Sequence, residues 1–236
     1  MEATKIQIPV NLWQIAFRIL HDINDLEPIE KLWIPKSDFA AGISENWLLI
    51  FVAGGITEDY SPTNTCEIYD TIKSKWIRLR NLKYPRIWAS IIACPEWNLY
   101  VFGGVENDLI RLDKYKALTS IEHLNYSDPS NEWEVLDIEL PFQTSNSGIF
   151  HIEEQQRFII FGGLDKKLNK VASIWKDPIF GWCIENLNDA KMQQPDSFES
   201  NGVMLRDDNK KTRLVFGREF VHIYDEALKS FTLFQR

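Results

Sequence analysis

Short apolar runs, not helical stripes, organise the chain after residue 37. Leu48 to Val52 run into Gly54-Gly55, Leu99 to Phe102 into Gly103-Gly104, and Phe158 to Phe161 into Gly162-Gly163. A fourth run, Arg213 to Phe216, keeps only the first glycine, Gly217, and continues with Arg218. Runs of this length bounded by glycine predict strands. The first glycines are 49, 59 and 55 residues apart, the scale of a four-stranded repeat unit.

Two aromatic residues follow each glycine site: Tyr69 and Trp76, Tyr126 and Trp133, Trp175 and Trp182, Tyr224 and Phe231. They are seven residues apart every time, while the distance from glycine to aromatic drifts from 7 to 23. A fixed spacing beside a drifting one predicts a rigid hairpin next to a variable loop. Turn-forming residues fill the interval, among them Asp70 to Ser74 and Ser127 to Asn131. A second hairpin precedes each glycine site, as where Ile87 to Cys94 pass through Pro95-Glu96-Trp97-Asn98 into Leu99. The unit is therefore strand, turn, strand, glycines, loop, strand, turn, strand. Such a sheet cannot cover both of its own faces, so it must stack on its like. Radial stacking does so while leaving only short edges. Glycine permits the close approach at a strand end, and aromatics fill the wedge between diverging sheets.

The run before a diglycine, the spaced Tyr and Trp, and Tyr84-Pro85-Arg86 ahead of the next strand resemble kelch repeats. The resemblance covers about residues 38–236. It implies an all-β, kelch-type β-propeller with four clear four-stranded blades and a degenerate N-terminal blade, hence an incomplete ring. It also implies that the diglycine ends a blade's second strand and that Arg86 is structural. Residues 1–37 admit two readings. In one they are the end of a further blade, with His21-Asp22 echoing Tyr69-Asp70 and Trp33 as its last aromatic. In the other, Leu12, Ile15, Ala16, Ile19, Leu20 and Ile23 take helical spacing, and the segment resembles an F-box.

Composition narrows the function classes. The chain has 236 residues, a net charge of −8 and 13% aromatics, which argues against a basic nucleic-acid face. Cys66, Cys94 and Cys183 form no CxxC pair, so neither disulfides nor a zinc site is indicated. No apolar run reaches the ~20 residues of a membrane helix. A cytoplasmic protein without membrane insertion is expected, with the cytoskeleton as one place of association. His21, His123, His151 and His222 lack metal-ligand spacing, and the many acidic residues read as solvated turns. No catalytic residue, metal or cofactor is therefore expected. The expected role is non-catalytic: a protein-interaction scaffold or adaptor within a larger complex, binding through loops on one rim. The alternatives are a substrate-recognition subunit of a cullin-type ubiquitin ligase and a propeller hydrolase with channel-mouth carboxylates. Tyr60, Trp88, Trp97 and Phe142 are exposed-looking aromatics outside the repeat's core positions, and Tyr60, Arg78, Arg80, Lys83, Trp97 and Phe142 are the candidate partner contacts.

Overall fold

The computed structural model describes residues 31–44, 46, 48–106, 117–161 and 171–187, and the backbone of four further strands up to residue 234. A two-residue strand, β1 (Lys36–Ser37), opens this part, and the first blade follows as β2 (Ala40–Ile43) and β3 (Leu49–Ala53). After the short β4 (Ile56–Thr57), which pairs with β1, come β5 (Cys66–Asp70) and β6 (Lys75–Arg78). The second blade is β7 (Ser90–Cys94), β8 (Asn98–Phe102), β9 (Ser120–Asn125) and β10 (Glu134–Glu139). The third is β11 (Gly148–Ile152), β12 (Arg157–Phe161), β13 (Val171–Asp177) and β14 (Gly181–Asn186). The fourth is β15 (Met204–Arg206), β16 (Arg213–Phe216), β17 (Val221–Asp225) and β18 (Ser230–Phe234). Each blade is an antiparallel meander in chain order. Among the described residues the only helical element is a single 3-10 turn, Glu153–Gln155.

Successive blades pack face to face, with β2 against β7 and β7 against β11 innermost. Phe51, Ala53, Leu99, Val101, Leu124 and Trp133 close the core between the first two blades. Phe102, Ile121, Phe158, Ile160 and Ile174 do the same between the second and third. A strand covered on both faces loses its in–out alternation. Accordingly β5 is buried along its whole length, Glu67 and Asp70 included.

The glycine pairs end β3 and β8, where the chain must lie against the start of the next blade. All four take left-handed backbone: Gly54 φ +66°, Gly55 +107°, Gly103 +58° and Gly104 +93°. A Cβ on Gly54 would meet the Arg86 carbonyl, and one on Gly103 the Thr144 hydroxyl. The neighbouring N–H groups of Gly55 and Gly104 donate to those same two residues' carbonyls, at 2.7 Å each. Gly162, Gly163 and Gly217 lie outside the described residues.

Two sequence expectations need correction. The seven-residue aromatic spacing places Tyr69 opposite Trp76 and Tyr224 opposite Phe231. In the third blade the turn is one residue shorter, so Trp175 pairs with Cys183 and Lys176 with Trp182. Because side chains alternate faces along a strand, Trp175 and Trp182 point to opposite sides of the sheet. Trp182 packs toward the second blade, near Tyr100 and Phe158, whereas Trp175 stacks on the Arg157 guanidinium at 4.2 Å. The second correction concerns Trp33. Residues 1–30, and with them the choice between blade and helices, lie outside the described residues. Trp33 itself occupies the place of Lys83, not that of Trp76, as the hydrogen bonds below establish.

Candidate functional site

The segments that lead into the first and second blades end in the same local construction. Arg86 is fully buried, and Glu122 on β9 is fully buried with it. The Arg86 Nε and Nη2 donate to Glu122 Oε1 at 3.1 and 2.8 Å, Nη1 to the carbonyls of Gly103 and Ser120, and Nη2 to the Ser120 hydroxyl. Burial pulls this guanidinium below its usual range, and Glu122 opposes that shift. The other Glu122 oxygen accepts the Lys83 N–H at 2.6 Å. One blade earlier, the Lys36 ammonium sits 3.2 Å from Glu67 and donates to Thr65, and Glu67 accepts the Trp33 N–H at 2.9 Å. Pro35-Lys36 is therefore a copy of Pro85-Arg86, with Trp33 standing where Lys83 stands. In the third blade both charges are gone: Thr144 holds the arginine's place against Gly104, and Ala172, paired with Ile160, holds the glutamate's.

Two residues beyond each of these anchors the backbone turns left-handed, at Asp38 (φ 53°), Trp88 (54°) and Asn146 (53°). Asparagine and aspartate tolerate this region, but a tryptophan there is unusual and marks a position held by its surroundings. Hydrogen bonds hold it: the Trp88 N–H donates to the Asp38 carbonyl at 3.0 Å, and the Asn146 N–H to the Trp88 carbonyl at 2.8 Å. The Trp88 indole N–H adds a 2.9 Å bond to Asp38 Oδ1, and the Ser90 hydroxyl donates to the Ser147 carbonyl. These residues, with Phe39, Ala40 and Ile91, line an open cavity of about 450 Å³ at the axial ends of β2, β7 and β11. The volume lies within the usual range for binding pockets. Strand direction puts this mouth on the same face as the loops that follow the glycine pairs.

The structure disperses the residues singled out from sequence. Tyr60 is 64% exposed in a post-glycine loop, with φ 64°. Trp97 is 54% exposed at the opposite face, in the β7–β8 turn, packed edge-on against Tyr126. Arg78 lies over the Trp33 ring at 4.9 Å, Arg80 is exposed, and Lys83 pairs with Glu132 at 2.8 Å. Phe142 is buried in the core between the second and third blades, which removes it as an exposed anchor. Sequence reasoning counted Trp88 among the exposed aromatics but did not connect it with Asp38 and Asn146. The shared offset from Lys36, Arg86 and Thr144 is the signal that links the three. Among the described residues, no group of three His, Cys, Asp or Glu is placed to hold a metal. No helix among them is long and apolar enough to cross a membrane.

Residues 49–83, from β3 to the first blade connection, match the kelch motif. Kelch domain-containing protein 2 of Bos taurus and that of Homo sapiens are each 34% identical to this chain over 80 residues. The match takes in 33% of this chain and spans 19% of the length of those relatives. The solved structure of YjhT superposes with a TM-score of 0.63 over 84% of this chain and 70% of that one, at 14% identity, a likeness of fold alone. The motif match falls on the first blade, and the second repeats its glycines, its wedge tryptophan and its buried ion pair, Lys36–Glu67 in the first and Arg86–Glu122 in the second. The chain carries a kelch motif in its first blade and has the β-propeller fold.

Proposed function

We propose that this protein is a non-catalytic interaction module, a scaffold or adaptor within a larger assembly, that receives a protein partner at the axial mouth. Kelch repeats and propellers generally serve protein–protein interaction. The observation that carries the reading is the left-handed rim of Asp38, Trp88 and Asn146, three equivalent positions held by hydrogen bonds from blade to blade. Rigid strands that hold divergent side chains around a concavity suit recognition. A cytoplasmic, cytoskeleton-associated location accords with an acidic chain without paired cysteines. Purification of the tagged protein after cross-linking in cells tests the proposal. Trp88→Asn removes the indole yet keeps a residue tolerant of left-handed backbone. It should lose a partner that Ile179→Ser, on the opposite face, retains. Identical partners in both variants, or none with the wild type, would refute the mouth as the binding site. Recovery of cullin-adaptor proteins would make the partner's assembly a ubiquitin ligase.

A further inference from the structure

We infer that the axial mouth is built to take an arginine side chain from the partner, with the Asp38 carboxylate as its receptor; this rests on the mouth being the binding site. Among the described residues that line the cavity Asp38 is the only ionisable one, and no Lys, Arg or His is among them. The nearest cation in sequence, Lys36, is committed to Glu67 and Thr65 beneath the rim. The carboxylate is nonetheless fixed. Trp88 Nε1 donates to Oδ1 at 2.9 Å and the Ser37 hydroxyl to Oδ2 at 2.8 Å. A carboxylate has about four acceptor sites, two on each oxygen. One bond to each oxygen leaves a free lone pair on both, the arrangement a guanidinium fork matches with two parallel N–H bonds. A guanidinium docked there lies beside the Trp88 ring, whose face attracts cations. Arginine suits both features better than lysine, because its charge is planar, forked and weakly hydrated. The rim's backbone groups already serve one another through the Trp88 and Asn146 N–H bonds, so the side chains carry the recognition. A net charge of −8 also favours approach of a basic segment.

A display library of random short peptides, selected on the folded protein, tests this. Selected peptides should be enriched in arginine, and replacing that arginine by citrulline, its neutral isostere, should weaken binding at least about tenfold in fluorescence anisotropy. Asp38→Asn should weaken the arginine peptide by a similar factor and leave the citrulline peptide unchanged. Glu58→Gln, on a loop of the same face, should alter neither. Peptides that need Trp88 but carry no arginine would overturn the inference while leaving the mouth as the binding site. Peptides indifferent to both Trp88→Asn and Asp38→Asn would overturn both. Arginine peptides whose affinity ignores Asp38→Asn would show that the carboxylate is not the receptor.

Discussion

At the scale of single residues, the Arg86–Glu122 pair and its neutral counterpart form a natural comparison. Two fully buried charges repay their desolvation only when every remaining donor and acceptor is used, and here the carboxylate also holds the Lys83 and Tyr84 N–H groups. Removing one partner strands the other, so Glu122→Ala should cost about 3–5 kcal/mol in denaturant unfolding. The third blade shows that the same place can be filled without charge, by Thr144 and Ala172. Arg86→Thr with Glu122→Ala should therefore cost clearly less than the sum of the single changes; simple additivity would show that the two do not act as a pair. His123 gives a second test. Burial, the larger influence, lowers its pKa from the ordinary 6.5, against a weaker pull from Glu134. Its ring stacks on Tyr100 at 4.6 Å and its Nε2 lies 2.8 Å from Asn98 Oδ1. A base that folding keeps neutral contributes full stability above its unfolded pKa, and loses it as pH falls from there toward the lower folded value. The melting temperature should drop across that window, and drop less in His123→Gln.

At the scale of elements, the strand ends carry the information. Gly181 has φ +75° but open space around it, whereas Gly54 has both a left-handed backbone and a carbonyl where a Cβ would go. Gly181→Ala should cost about 1 kcal/mol, for backbone strain alone. Gly54→Ala should cost about 3–4 kcal/mol, because the start of the second blade must shift as well. Thermal melts of the two variants check this, and equal losses would mean that the close approach is not limiting. These glycines were legible in the sequence because a turn that needs them leaves a fixed letter. The buried pairs were not. In Ser120-Ile121-Glu122-His123-Leu124 the two apolar residues fall on opposite faces and the polar ones read as solvated, yet in a blade covered on both faces Glu122 is fully buried. Spacing alone also hides the register of the third blade, where a turn one residue shorter puts Cys183 opposite Trp175 and Lys176 opposite Trp182 while the count of seven survives. The mouth was half legible. Trp88 stood out as an aromatic beyond the core positions, but only the hydrogen bonds to Glu67 and Glu122 reveal that Pro35-Lys36 repeats Pro85-Arg86 and so aligns Asp38 with it.

At the scale of the molecule, cohesion passes from each blade to its neighbours. The first core joins blades one and two, the second joins two and three, and no buried cluster among the described residues spans all three. Stability in such an arrangement approximates a chain of nearest-neighbour terms, so damage should stay near its origin. Trp133 is the place to apply it. It is 1% exposed, wedged into the first core, and its indole N–H donates to the Arg80 carbonyl at 2.8 Å. Trp133→Ala removes the wedge and strands that carbonyl, a loss of about 3–5 kcal/mol. Native-state hydrogen exchange should then show amides of β3, β5 and β9 opening faster by a factor matching that loss. Amides of β12 and β13, whose cover is the second core, should open with rates close to those of the wild type. The mouth spans the first strands of all three blades, so local opening has a functional corollary. A ligand bridging Asp38 and Asn146 ties blade one to blade three and should restore part of the lost protection in β3. Uniform acceleration across the three blades would instead make the propeller one cooperative unit, and the mouth a feature of the whole ring and not of its adjoining blades.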